Sequence, residues 1–297
     1  MPDNGASQGT IQKVGVVGCG LMGSGIVQVS AVAGRQVLVH EADATALEKG
    51  LGRIRGSLEK LCSKEKISAE LRDRSLASIH TAETLEELSD CDLIVEAVVE
   101  DLAVKLDLFG KLGRIAGPRA ILASNTSSYP ITELAAACGR PDRTVGLHFF
   151  NPVPLMKLVE VVKTGETDDS VVQTVREFAR SLDKTPIEAS DTPGFVVNRL
   201  LVPYMLEAIR MLERGDATKE DIDTGMMLGC GHPMGPLTLM DYVGLDTCLF
   251  IAEGWHERFP ENPLFDPPEL LRQKVAAGEL GRKTGLGIYR WEGDKKA

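Results

Sequence analysis

Aromatic residues are scarce, at 5% of the chain, and no apolar run approaches the roughly 18 residues that a membrane-crossing helix needs. A spanning segment is therefore not expected. The six cysteines form no CxxC pair and the five histidines no HxxxH pair. That spacing argues against a disulfide framework and against a zinc or other metal site, and for a reducing, cytoplasmic setting. Positive charge is in short supply as well. The 33 Lys and Arg face 43 Asp and Glu, a formal net charge of −10, which argues against a nucleic-acid or anionic-membrane partner. The opening MPDNGASQGT has no apolar core, so no secretory leader is expected there, and residues 1–10 read as a flexible N-terminus. Neither an internal repeat nor a low-complexity tract is visible.

What is present is ordinary for a globular protein. With 297 residues, 43% of them apolar and 26% charged, the chain has room for about two domains. QKVGVVG at 12–18 is a short apolar run ending in glycine. Residues 21–33 are helix-length and rich in small and apolar side chains, and QVLVHE at 36–41 reads as a second strand. That order implies a parallel sheet. A long polar helical region is expected over about residues 43–75. DLIVEAV, AILASN, TVGLHFF, KLVEVVK and TPIEA then read as further strands. The alternation predicts a doubly wound, mostly parallel α/β domain of Rossmann type over 11–190.

The character changes at Asp191-Thr192-Pro193-Gly194. VVNRLLVPYMLEAIRMLERG reads as a long amphipathic helix closed by Gly215, with Pro203 expected to kink it or limit its first segment. Asp216-Ala217-Thr218 offers caps for another helix. Residues 191–297 show no strand-like run and are expected to form an all-helical second domain.

Gly18-Cys19-Gly20-Leu21-Met22-Gly23 is G-x-G-x-x-G, a weak signal alone. Here it follows a predicted strand and opens a predicted helix. The first glycine makes the tight turn, the second admits a pyrophosphate at the helix N-terminus, and the third allows close packing of helix on strand. Glu41 closes the second strand about 20 residues on, where a carboxylate accepts from ribose hydroxyls and repels a 2′-phosphate. The set points to NAD rather than NADP. The bland alternative is a glycine-rich turn with no ligand.

The stretch VGLHFFNPVP places His148 inside an apolar strand, where imidazole needs polar partners. It lies near the carboxyl end of that strand, the edge where open α/β sheets bind ligands. Strand logic also brings Ser127, after AILASN, towards that edge. A turn at NPVP would return Glu160 beside His148. Asn198 shares a helix stripe with Leu201, Val202 and Met205. Bland readings exist for each. The histidine is a satisfied core residue, Ser127 caps the next helix, Glu160 is a solvated strand residue, and Asn198 bonds locally.

GCGLMGSGI, VEAVVED, SNTSS, GLHFFNPVPLMKLVEVV, DTPGFVVNRLL, HPMGPLTLMDYVGLDT and GRKTGLGIY together resemble the L-3-hydroxyacyl-CoA dehydrogenases. Within them the chain is most similar to bacterial 3-hydroxybutyryl-CoA dehydrogenases, over about residues 12–290. The resemblance implies NAD-dependent oxidation of a short-chain L-3-hydroxyacyl-CoA, and the reverse. His148 is then the general base or acid, paired with Glu160, with Ser127 and Asn198 completing the site. Gly18, Cys19, Gly20, Leu21, Met22 and Gly23 with Glu41 hold the dinucleotide. Glu100, Lys105, Ser127, Asn151 and Lys283 match further cofactor-contacting positions, and Ser57, Lys64 and Ser127 match positions that meet coenzyme A. A homodimer through the helical domain is implied too. One departure is His40-Glu41, where many members have an apolar residue followed by Asp.

The chemistry fits the residue types. Alcohol oxidation needs a base for the hydroxyl proton, and imidazole, with an ordinary pKa of about 6.5, serves near neutrality. A carboxylate on its other nitrogen fixes the tautomer and stabilises the imidazolium. An anionic thioester also needs local positive charge. Residues 48–66, EKGLGRIRGSLEKLCSKEK, hold six basic residues against three acids. Two rivals remain open: a dehydrogenase on this scaffold acting on a carrier-bound hydroxyacyl group or a sugar acid, and a dinucleotide-binding sensor without catalysis.

Overall fold

The computed structural model describes residues 10–297. The reading of the N-terminal segment falls almost wholly outside them. Two compact units result, one ending at Phe195 and the other spanning Val196–Ala297.

In the first unit β1 (Lys13–Val17), α1 (Leu21–Val32) and β2 (Gln36–His40) form the opening βαβ element. α2 (Ala44–Ser63), α3 (Ala69–Ala77), β3 (Ile79–Thr81), β4 (Leu93–Glu96) and α4 (Leu102–Ile115) follow. β5 (Ile121–Ser124), α5 (Ile131–Cys138), β6 (Thr144–Phe149), β7 (Leu158–Lys163), α6 (Asp169–Ser181) and β8 (Thr185–Ser190) complete it. The eight strands lie in the order β3-β2-β1-β4-β5-β6-β7-β8. Every neighbouring pair is parallel except β6 with β7. The order reverses between β1 and β4, which opens a crevice at the carboxyl ends of those strands. The expected doubly wound, mostly parallel sheet is present.

Strand alternation sorts side chains onto the two faces. Val14, Val16, Val95, Ala123, Leu147 and Val161 join the apolar cluster of one face. Ile94, Leu122 and Val162 belong to the cluster of the other. By the same alternation Glu96, Ser124, His148 and Glu160 follow or precede residues of that second face. A polar row thus caps one apolar face at the strand ends.

Three local expectations need correction. The helical region over 43–75 is two helices, because Glu65 takes a left-handed backbone (φ 55°) and the Ser68 hydroxyl starts α3 by accepting from Leu71 N. The short edge strand β3 carries only one semi-buried apolar residue, Ile79, and left no periodic signal. The second unit, mostly helical, is not wholly so.

That unit contains α7 (Val197–Arg214), α8 (Lys219–Cys230), α9 (Pro236–Val243), α10 (Leu245–Arg258) and α11 (Glu269–Ala276). A hairpin of β9 (Trp291–Glu292) and β10 (Lys295–Lys296) ends it. Buried Asp241 explains the irregular tail. Its carboxylate accepts from Ile288 N, Tyr289 N and the Trp291 indole, fixing an extended segment where a helix would satisfy its own amides. Pro203 does not end α7, which runs on to Gly215 in left-handed backbone (φ 70°). Thr218 caps α8 as expected, accepting from Asp221 N.

Candidate active site

The glycine loop closes on its own backbone. Gly18 has φ +99°, and a Cβ there would lie 2.5 Å from Ala97 O, on the first turn after β4. A Cβ at Gly23 would lie 1.9 Å from Gly18 O, so α1 rests directly on the loop. Around Gly20, by contrast, a Cβ would meet nothing within 4 Å. Gly20 is also the N-cap of α1 and offers no side chain to its free amides. Open space over an uncapped helix N-terminus fits a pyrophosphate. Leu21, 61% exposed, and half-buried Met22 flank that opening.

Glu41 stands against this loop. Its carboxylate accepts from Cys19 N at 2.8 Å and from Asp43 N at 3.2 Å. Arg53 braces the other side, donating to Cys19 O at 2.8 Å and to Ser24 Oγ at 3.4 Å. The basic stretch 48–66 therefore gives one of its cations to the loop, a link that the charge pattern did not reveal. α2 reaches the loop through Gly50, where a Cβ would sit 2.3 Å from Cys19 O. The Cys19 thiol is sealed in. Burial pushes it up to about 11, Glu41 adds to the rise and Arg53 opposes it. Its backbone serves the loop and its sulfur is no nucleophile.

His148 and Glu160 are register partners across the antiparallel β6–β7 pair. His148 Nδ1 lies 2.7 Å from Glu160 Oε2. Glu160 is fully buried and His148 is 6% exposed. With Nδ1 held against the buried carboxylate, Nε2 is the ring nitrogen left for other chemistry. Phe150 and Phe195 pack on the ring at centroid distances of 4.6 and 5.7 Å. Glu160 is not a solvated strand residue. Its burial follows from the place of β7 inside the sheet, between β6 and β8.

Ser127 lies in the loop after β5 and donates its backbone N–H to Glu100 Oε1 at 3.1 Å. It does not cap α5. Asp191 does, accepting from Ile131 N at 2.9 Å and Thr132 N at 2.8 Å. Glu100 also takes the Thr126 hydroxyl at 2.6 Å and pairs with Lys105 at 3.1 Å. Lys105 is 1% exposed and has a second partner, fully buried Glu96, at 2.5 Å. Neither Glu96 nor Thr126 stood out in the sequence. The one usable signal was a carboxylate ending an otherwise apolar strand. Asn125 was missed as well; its Oδ1 accepts from Phe149 N at 2.9 Å, beside His148.

Ser57 is half-buried on α2, and exposed Lys64 is that helix's C-cap. In the second unit, Asn198 is half-buried in the first turn of α7, one turn before buried Val202 and two before buried Met205. Lys283 pairs with both oxygens of Asp246 at 2.6 and 2.7 Å. No group of three or more His, Cys, Asp or Glu that would hold a metal occurs among the described residues.

Residues 13–192 match the family model of the 3-hydroxyacyl-CoA dehydrogenase NAD binding domain, and residues 194–291 match that of the C-terminal domain. A 3-hydroxybutyryl-CoA dehydrogenase of Mycobacterium tuberculosis is 51% identical over 283 residues, covering 95% of this chain and 99% of that protein. The mitochondrial hydroxyacyl-coenzyme A dehydrogenase of Sus scrofa is 49% identical over 288 residues, covering 95% and 92%. The crystal structure of (S)-3-hydroxybutyryl-CoA dehydrogenase from Ralstonia eutropha superposes with a TM-score of 0.92 at 43% identity, covering 95% of this chain and all of that one.

Proposed function

Because the chain belongs to the 3-hydroxyacyl-CoA dehydrogenase family and is an NAD-dependent enzyme of it, we propose that it interconverts short-chain L-3-hydroxyacyl-CoA and 3-ketoacyl-CoA, with 3-hydroxybutyryl-CoA as the preferred substrate. The observation that carries this reading is the buried His148–Glu160 pair at the carboxyl edge of a sheet whose glycine loop fits a dinucleotide.

His148 Nε2 takes the hydroxyl proton of the substrate. Nδ1–H stays on Glu160, whose charge stabilises the imidazolium as it forms. Bound nicotinamide supplies the hydride acceptor, or the donor in reverse. Going backwards, His148 returns its proton to the ketone oxygen. Phe150 and Phe195 keep water from the ring. Ser127 and Asn198 hold the reacting group. Glu41, Glu100, Asn151 and Lys283 serve the dinucleotide directly, Lys105 serves it through Glu100, to which its ammonium is paired, and Ser57 with Lys64 serves coenzyme A. Glu41 sets the preference for NAD, since a 2′-phosphate there meets a carboxylate.

The test is consumption of NADH with acetoacetyl-CoA, followed by absorbance, then kcat/KM along a series of acyl chain lengths. Efficiency is expected to be greatest at the shortest chains. No turnover of any acyl-CoA, with turnover of a carrier-bound or sugar-acid substrate, overturns the assignment. The protein is also proposed to be a cytoplasmic homodimer through its second unit, which displays Leu200, Leu228 and Phe250 at 70%, 82% and 61% exposure. A monomer in sedimentation at micromolar concentration contradicts that.

A further inference from the structure

The loop Ser124-Asn125-Thr126-Ser127-Ser128 contains a residue assigned to both cofactor and substrate, yet its own sequence is too polar and short to hold itself. Its anchors lie on the preceding strand–helix connection. Asn125 N donates to Glu96 O at 2.9 Å, and the Ser124 hydroxyl donates to Glu96 Oε2 at 2.6 Å while accepting from Thr126 N at 3.1 Å. Thr126 Oγ1 and Ser127 N donate to the same oxygen of Glu100. Thr126 Oγ1 also accepts from Ser128 N and Tyr129 N. Two carboxylates, Glu96 and Glu100, therefore fix the loop, and one buried ammonium, Lys105, lies between them at 2.5 and 3.1 Å.

Glu96 is fully buried and Lys105 is 1% exposed, so neither presents a surface on which a ligand rests. Glu100 is different, with a third of its side chain open (33%). The geometry points to Glu96 as a positioning residue. It holds the Lys105 ammonium, which holds the Glu100 carboxylate, which holds Thr126 and Ser127. An isolated buried cation would be costly, and two carboxylates facing each other would repel, so the three groups are stable only together. Removing the charge on Glu96 leaves Lys105 wholly to Glu100 Oε2, and a stronger pull on that oxygen turns the carboxylate away from Thr126 and Ser127, which its Oε1 holds. This inference rests on the proposed role of Ser127 in the dehydrogenase reaction.

The experiment is a cycle of variants on the full chain. Glu96→Gln keeps the shape and an acceptor for Ser124. Glu96→Gln/Lys105→Met replaces the ion pair by neutral groups, an exchange that buried pairs commonly tolerate, and guards against loss of folding. Both are expected to retain parental circular dichroism. In both, kcat for acetoacetyl-CoA should fall by roughly 10²-fold, the size of a small misplacement of reacting groups. Binding of NADH, read by its fluorescence and independent of turnover, should weaken several-fold. In a Glu100→Gln background, adding Glu96→Gln should change neither quantity, because the route through Glu100 is already cut. Parental kcat and NADH binding in the folded variants overturn the proposal. So does an undiminished loss in the Glu100→Gln background, which would mean that Glu96 acts by another route. Failure of the parent itself to turn over acyl-CoA would instead strike the functional reading, while the NADH cycle still reports on Glu96.

Discussion

A histidine in a strand is unremarkable until its second nitrogen is considered. At position 148 one nitrogen is committed to a fully buried carboxylate, and the other is not. Such an arrangement suits proton transfer better than ligand binding. His148→Gln should therefore lower kcat by roughly 10²–10⁴-fold, the usual acid–base contribution, with KM for acetoacetyl-CoA little changed. Wild-type turnover by a folded variant would remove His148 from the reaction. Glu160→Gln keeps the hydrogen bond in shape but not the charge, and is expected to lower kcat and change the pH–rate profile. His148 and Glu160 were both legible because polar side chains in apolar strands are conspicuous. Their partnership was suggested by the NPVP turn and implied by the family resemblance, but spacing did not dictate it, since register across an antiparallel pair depends on how that turn folds. Glu96 and Thr126 stayed hidden for a related reason. Their partners sit on other elements, and no spacing within the chain encodes that.

Among the elements, α5 shows how far a cap may lie from its helix. Its N-cap is Pro130, which offers no side-chain acceptor. Asp191, just after β8, supplies both oxygens instead, taking Ile131 N, Thr132 N and the Thr132 hydroxyl. Asp191→Ala should cost about 1 kcal/mol, the usual value of an N-cap. In a chain of this size that lowers the thermal midpoint by roughly 2–4 °C. Asp191→Asn should restore most of it, because an amide oxygen still accepts. Unchanged unfolding of Asp191→Ala would show that water replaces the cap at no cost. Long periodic elements such as β1, α1, β6 and α7 were readable from period and caps. The α2–α3 break, the edge strand β3 and the C-terminal hairpin were not. Each is decided by one left-handed residue, a few edge hydrogen bonds or a distant buried Asp241, none of which alters hydrophobic periodicity.

At the scale of the molecule, a chain of net charge −10 is proposed to hold a substrate that carries several phosphates. Long-range attraction is therefore absent, and affinity must come from a local set of cations. Arg53 leaves that set, because its guanidinium serves the glycine loop. Lys49, Arg55, Lys60, Lys64 and Lys66 remain exposed on α2 and its C-terminal turn. Ser57 and Lys64 lie two turns apart, on one side of the helix. Lys64, at the C-cap, also completes the negative end of the helix, so its ammonium has a local reason to stay there. Lys64→Ala is expected to raise KM for acetoacetyl-CoA, with a smaller effect on a pantetheine thioester that lacks the nucleotide. Added salt should act in the same direction, since exposed charges are screened over about 8 Å at physiological ionic strength. Measuring KM for both thioesters, with and without the mutation and across a salt series, separates the nucleotide from the acyl end. If both substrates respond alike, α2 does not hold the nucleotide, and its cations become a docking face for an acidic carrier protein.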